Sequence, residues 1–151
     1  MTKFVFICCV VLVVAPWICN AMTEEQKAKI HAHFEQLGMQ CFETVPISEE
    51  DIMNLKNKKL ATGPNVPCFL SCMLKKMGML DEAGMLQKES ALELAKKVFE
   101  DTEEVANIGD FLHSCHHVND VAVSDGDKGC ERAILALKCM MENSSKFGFD
   151  L

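Results

Sequence analysis

The spacing of the cysteines constrains the fold of this chain more than any other feature of its sequence. Nine cysteines occur, and three of them, Cys8, Cys9 and Cys19, lie within the first 21 residues. The other six are separated by 26, 3, 42, 14 and 8 residues: Cys41, Cys68, Cys72, Cys115, Cys130 and Cys139. An even set of cysteines in a small secreted domain predicts three disulfides and no free thiol.

The N-terminal segment predicts secretion. Lys3 precedes an apolar run over residues 4–15, and residues 19–21 have the small side chains of a signal-peptide cleavage site. The alternative is a membrane anchor, but the run is short of the roughly 20 residues that span a bilayer and is followed by Pro16. We therefore expect residues 1–21 to be a signal peptide and residues 22–151 to form a single domain.

The charge of the chain restricts its partners. The full sequence has a formal net charge of −7, and cleavage would remove Lys3 but no acidic residue, so the mature chain carries about −8. An acidic protein is repelled by nucleic acid and by anionic membrane surfaces. We expect neither as a partner.

Apolar periodicity predicts an all-α fold of about six helices, since no run alternates apolar and polar residues as a half-buried strand does. Five helices are expected to begin at or near start signals: Thr23, Ser48, Pro67, Ser90 and Thr102. The apolar spacing of the third extends to Leu80, with Gly78 or Gly84 marking its end. The last, over about residues 128–142, is apolar on nearly every side and is expected at the centre.

Helix geometry limits how the cysteines can pair. Cys68 and Cys72 lie one turn apart, where their side chains project in parallel, so they should bond to different helices. Cys130 and Cys139 are nine residues apart on one helix, a rise of about 13 Å, and cannot bond to each other. These exclusions leave the pairing itself open.

The cysteine spacing, on about six helices after a signal peptide, resembles that of the insect odorant-binding proteins, most closely the general or antennal-binding type of moths. The resemblance covers the whole mature chain. It implies the pairing Cys41–Cys72, Cys68–Cys130 and Cys115–Cys139, and a fold of six helices around an apolar cavity. It also implies transport of odorants, pheromones or similar hydrophobic compounds through aqueous lymph, in some cases toward a chemosensory membrane receptor.

The cavity wall has no motif, so the candidate ligand-binding residues are the apolar side chains that periodicity places inward. They are Phe69, Met73, Met77, Leu92, Ile108, Phe111, Leu112, Ile134 and Leu137. In the tail, Phe147, Phe149 and Leu151 are expected to fold inward over the mouth of the cavity. Ordinary core packing explains the same pattern, because periodicity does not separate a cavity wall from a filled interior.

No residue pattern indicates catalysis, a cofactor or a metal site. The group His113, Cys115, His116 and His117 suggests zinc, but disulfide-bonded sulfur is no thiolate ligand and adjacent histidines point to different helix faces. The calcium loop of secreted phospholipases and the nucleophile elbow of hydrolases are both missing.

We therefore expect a carrier of small hydrophobic ligands, monomeric or weakly dimeric, and not an enzyme. The alternative function is that of a secreted helical effector, which would have a filled core and bind a protein partner through an outer face. An accessible cavity would favour the carrier, and a large exposed apolar patch without one would favour the effector.

Overall fold

The computed structural model describes residues 23–149, and six α-helices form the architecture of that range. They are α1 (Glu24–Thr44), α2 (Glu49–Lys56), α3 (Val66–Lys76), α4 (Glu89–Val98), α5 (Thr102–Ser114) and α6 (Cys130–Asn143). Short 3-10 helices lie at His116–Asp120, Gly126–Lys128 and Ser144–Phe147. The described residues contain an isolated bridge between Leu80 and Leu86 but no strand. The all-α prediction is confirmed, whereas the predicted signal peptide and Leu151 lie outside the described residues.

The helix starts agree with the sequence patterns except at α4. Thr23 forms the predicted capping box with Gln26, since each backbone N–H donates to the other side chain. The prediction that Ser90 caps α4 is wrong, because the helix begins at Glu89 with Lys88 at the N-cap position. The Gln87 side chain supplies the acceptor instead, taking the Ser90 N–H at 3.3 Å.

The third helix is shorter than its apolar spacing predicts. α3 ends at Lys76, and Gly78 turns the chain with a φ of 72° at a point where an added Cβ would lie 2.6 Å from the Ser90 Cβ. Leu80 then lies in a reversal of the chain, in which the Gln87 N–H donates to the Met79 carbonyl at 3.0 Å. Leu80 is buried in this turn, so its burial alone did not require a helix.

Three disulfides join the helices in the pairing that the resemblance implies. Cys41–Cys72 ties α1 to α3, and Cys68–Cys130 ties α3 to the start of α6. Cys115–Cys139 ties the end of α5 to the last turns of α6. The predicted exclusions hold, because α3 and α6 are each linked to two different neighbours.

The core lies between α3 and α6, and the residues of α6 are buried to different extents. Ala133 and Ala136 are fully buried where α6 packs against α3. Arg132 is also buried, and its guanidinium donates to the backbone carbonyls of Val118 and Val121 at the end of a 3-10 helix. By contrast, α1 buries just two of its 21 residues, Leu37 and Cys41. No helix among residues 23–149 is both long and apolar enough to cross a membrane.

A buried carboxylate connects α2 to the loop that leads into α3. Asp51 is 8% exposed and accepts hydrogen bonds from the Ser48 hydroxyl at 2.7 Å and from the Gly63 N–H at 3.1 Å. The hydrogen bond from the Ser48 side chain, with smaller contributions from backbone N–H groups, holds the pKa of Asp51 below its ordinary value although burial raises it. A Cβ added at Gly63 would lie 2.1 Å from the Asp51 carboxylate.

We predict that Gly63→Ala lowers the free energy of unfolding by about 1–3 kcal/mol, because the new methyl must displace a buried carboxylate. The matched control is Gly38→Ala, in which the added Cβ meets no atom within 4 Å. That control should raise the free energy of unfolding by about 1 kcal/mol through helix propensity. Urea unfolding of the oxidised proteins gives both values. Equal stability of the two variants would show that the Asp51 carboxylate does not restrict the side chain at position 63.

Candidate ligand site

A pocket of about 240 Å³ opens between the start of α4, the end of α5 and the 3-10 helix that follows α5. Its lining combines apolar and polar side chains: Leu86, Gln87, Lys88, Glu89, Leu112, His113 and His116. Leu86 and Leu112 are 5% and 7% exposed and belong to the hydrophobic core. The apolar part of the pocket is therefore continuous with the interior of the protein.

Asn119 holds the Leu86 backbone at the pocket. Its side-chain carbonyl accepts the Leu86 N–H at 2.8 Å, and its amide donates to the Leu86 carbonyl at 2.8 Å. A side-chain amide thus pairs with a backbone peptide as a neighbouring strand would. The contact joins the segment before α4 to the 3-10 helix after α5, which are the two sides of the pocket.

The polar part of the pocket is rich in hydrogen-bond donors. His113 and His116 are both exposed, and their rings are tilted by 31° with centroids 5.8 Å apart. Lys88 is half-buried, and within residues 23–149 its ammonium group has no ion-pair partner. No group of three potential metal ligands is found among the described residues. The arrangement is suited to holding the polar end of a molecule whose apolar part reaches the two leucines.

A second, smaller pocket of about 50 Å³ lies where the C-terminal tail folds back on α5. The Phe111 ring contacts those of Phe147 and Phe149, with centroids 5.6 and 5.0 Å apart. Asn107 fixes the tail by donating from its side-chain amide to the Phe147 carbonyl at 3.0 Å. The tail therefore packs with its phenylalanines inward, against the same helix that borders the larger pocket.

The structure distributes the eleven nominated ligand-binding residues among three environments. Phe69, Phe111 and Leu112 are buried in the core. Seven others are half-buried against that core: Met73, Met77, Ile108, Ile134, Leu137, Phe147 and Phe149. Leu92 is half-buried beside Gly109, with its methyl groups where a Cβ on that glycine would touch them.

Four of the eleven line one of the two pockets. Leu112 lines the larger pocket, and Ile108, Phe147 and Phe149 line the smaller. The linings do not include the other seven residues. Sequence reasoning also missed Gln87, Lys88 and Asn119, which lie in or beside loops where no periodicity operates. The signal that could have found part of the site is the pair His113 and His116, three residues apart beside Leu112.

Comparison with known proteins identifies a matching family and similar proteins. Residues 23–143 match the family described as the PBP/GOBP family. The chain is 26% identical over 120 residues to general odorant-binding protein 19d of Drosophila melanogaster, covering 79% of this chain and 77% of that protein.

Two solved structures extend the comparison. Odorant-binding protein dmelOBP28a of Drosophila melanogaster aligns with a TM-score of 0.60 at 22% identity, over 81% of this chain and 98% of that one. Fatty acid binding protein OBP56a, from the oral disk of the blowfly Phormia regina, aligns with a TM-score of 0.52 at 28% identity. The alignment covers 84% of this chain and 98% of that one. The first likeness supports the fold, and the second is to a protein that is named for the fatty acids it binds.

We predict that Asn119→Ala lowers the free energy of unfolding by about 1–3 kcal/mol, because it leaves the Leu86 N–H and carbonyl without partners. The control is Asp120→Ala, which removes an exposed side chain from the neighbouring position of the same 3-10 helix. Its effect should be within about 0.5 kcal/mol of zero. Thermal or urea unfolding separates the two variants, and equal stability would show that the Asn119 contacts contribute nothing.

Proposed function

Since this chain belongs to the PBP/GOBP family of odorant-binding proteins, we propose that it is a carrier that binds small hydrophobic ligands and keeps them in aqueous solution. The observation that carries the proposal is the larger pocket, whose lining combines two core leucines, Leu86 and Leu112, with polar side chains. Such a site shields an apolar ligand from water without forming a covalent bond. Burial of the ligand supplies the affinity, at about 25 cal/mol per Å² of apolar area.

Ligand entry need not stop at the larger pocket. Met73, Met77 and Ile134 are half-buried against the core. Unbranched methionine side chains change rotamer easily and adapt to ligands of different shape. Separation of these side chains would extend the pocket inward toward the nominated residues on α3 and α6. Broad binding, with affinities around micromolar, follows from a wall of this kind.

The family also supports the remaining parts of the proposal. Its members are carriers, so we propose that this chain has no catalytic activity, and that residues 1–21 direct secretion into extracellular lymph. Delivery of the ligand to a chemosensory membrane receptor, by a monomer or weak homodimer, completes the proposed role. The fatty acid binding relative from the blowfly favours the carrier over a helical effector that binds a protein partner.

The test is displacement of a fluorescent apolar probe, N-phenyl-1-naphthylamine, from the purified oxidised protein by long-chain alcohols, aldehydes and acetates. We expect saturable probe binding that these compounds reverse at micromolar concentration. Reduced and alkylated protein, which lacks the three disulfides, is the control for non-specific uptake. Absence of saturable uptake by correctly bridged protein would overturn the carrier proposal and favour the effector.

A matched pair of variants assigns the binding to the larger pocket. His116→Trp adds an indole at a residue that lines the pocket, and His117→Trp adds one at the next residue, which does not. The first should weaken ligand binding roughly tenfold, equivalent to about 1.4 kcal/mol, and the second should leave it unchanged. Because Trp17 lies in the predicted signal peptide, each new indole is the sole tryptophan of the secreted form. Addition of ligand should change the fluorescence emission of the tryptophan in His116→Trp and leave that in His117→Trp unchanged.

A further inference from the structure

We propose that Arg132 is a positioning residue of the larger pocket. From α6 it fixes the 3-10 helix His116–Asp120, and through that helix it holds the backbone of Leu86 in the pocket wall. The inference rests on the proposed carrier function and gives a part in it to a residue outside both pocket linings. It follows from the hydrogen bonds that connect the buried guanidinium, the 3-10 helix and Leu86.

Arg132 is a buried cation whose hydrogen bonds go to backbone oxygens. It is 6% exposed, and the ion pairs found within residues 23–149 do not involve it. One guanidinium nitrogen donates to the Val118 carbonyl and, at 3.3 Å, to the Val121 carbonyl. These oxygens lie at the C-terminal end of the 3-10 helix, where the peptide dipoles attract a positive charge. The side chain therefore attaches α6 to this end of the 3-10 helix.

The opposite end of the 3-10 helix is attached to α6 by a disulfide. Cys115 precedes His116 and is bonded to Cys139. Cys139 and Arg132 are seven residues apart, which places them on one face of α6, two turns and about 10 Å from each other. A 3-10 helix rises about 2 Å per residue, so Cys115 and Val121 span a similar length. The 3-10 helix thus has one attachment to α6 at each end.

The second attachment determines the orientation of the 3-10 helix. A single cross-link at one end of a segment leaves the other end able to pivot. The Val118 side chain is 3% exposed and packs in the core, but apolar packing has little directional preference. Hydrogen bonds do have a preferred direction, because the donor, the hydrogen and the acceptor must be nearly in line. Arg132 therefore supplies the constraint on direction that the disulfide and the core do not.

The orientation of the 3-10 helix decides where the Leu86 backbone lies. Asn119 directly follows Val118, and it pairs with the N–H and the carbonyl of Leu86 through two hydrogen bonds of 2.8 Å. Asn119 is four residues from Cys115, whereas His116 is the next residue. Pivoting about Cys115 would therefore move Asn119 more than His116, and with it the leucine that lines the pocket.

We predict that Arg132→Met weakens binding of N-phenyl-1-naphthylamine, and of the decanol that displaces it, about tenfold. The physical reason is that Leu86 loses its fixed position in the pocket wall. Lys138→Met is the matched control, because it removes an exposed charge from the same helix. Gly63→Ala is the control for lost stability, since position 63 lines neither pocket. Both controls should keep the affinity within about twofold of wild type.

The combination of Arg132→Met with Asn119→Ala tests the route of the effect. If Arg132 acts through Asn119, the double variant should bind the probe within about twofold of Asn119→Ala alone, because the contact that Arg132 positions is already lost. Independent effects would multiply instead. A multiplied loss of affinity would overturn the inference.

Hydrogen exchange of the Leu86 amide gives a measurement that needs no ligand. In the wild type this N–H donates to the Asn119 side chain, and the Phe69 N–H donates to the Asn65 carbonyl at the start of α3. Arg132→Met should lower the protection of Leu86 about tenfold more than that of Phe69, because the opening is local to the pocket. A general loss of stability would lower the protection of both amides equally.

Arg132→Lys keeps the comparison available if Arg132→Met does not fold. It retains the positive charge but not the planar, rigid set of donors. The expected loss of affinity is about threefold, with a smaller local loss of protection at Leu86. Thermal unfolding of the oxidised proteins shows which variants are folded.

The outcomes separate this inference from the proposed function. If wild-type protein does not bind the probe, the carrier function fails, and exchange at Leu86 alone decides whether Arg132 positions that residue. If the folded Arg132 variants bind the probe as wild type does, the carrier function stands and the inference is overturned. Equal loss of protection at Leu86 and Phe69 would also overturn it, because Arg132 would then stabilise the protein without positioning the pocket.

Discussion

Helix α3 is cross-linked on two successive turns, and the rest of the molecule is organised around that double link. Cys72 ties it to α1 and Cys68 ties it to α6, which is linked in turn to the end of α5. On the chain-entropy account each such bond stabilises the fold by about 2–4 kcal/mol by restricting the unfolded chain. This stabilisation does not depend on a densely filled interior, so the protein can keep space for a ligand that a domain held by packing alone would have to fill.

The larger pocket is built from segments that have little regular structure of their own. The Leu86 backbone is held by Asn119, the turn before α4 needs the positive φ of Gly78, and the Gln87 side chain joins that turn to α4. Such side-chain bonds position a loop as firmly as a strand pairing does, while leaving its outer surface free. If the protein acts as the proposed carrier, this mixed lining would favour ligands that have both an apolar part and a polar end.

The architecture was predictable from the sequence because its determinants are periodic or evenly spaced. Helical apolar spacing, the capping box at Thr23 and the cysteine spacing identify the helices and, through the family resemblance, the three disulfides. The site was less predictable. Asn119 acts through hydrogen bonds to the backbone of Leu86, 33 residues earlier in the chain, and Lys88 lines the pocket together with His113 and His116. Local patterns carry no information about such contacts. Periodicity found Leu112 as an inward residue, but it assigned Leu80 to a helix, since a buried leucine has the same signature in a helix and in a turn.

Helix α1 is anchored to the rest of the protein mainly at its C-terminal end. The helix is fastened near its C-terminal end, where Leu37 and Cys41 are buried and the disulfide reaches α3, while its first three turns bury no residue fully. Protection against local opening therefore rises along the helix from Glu24 to Thr44, and the opening of its first turns is uncoupled from global unfolding. The Cys41–Cys72 disulfide keeps the C-terminal end of α1 attached to α3 even when the first turns of the helix open.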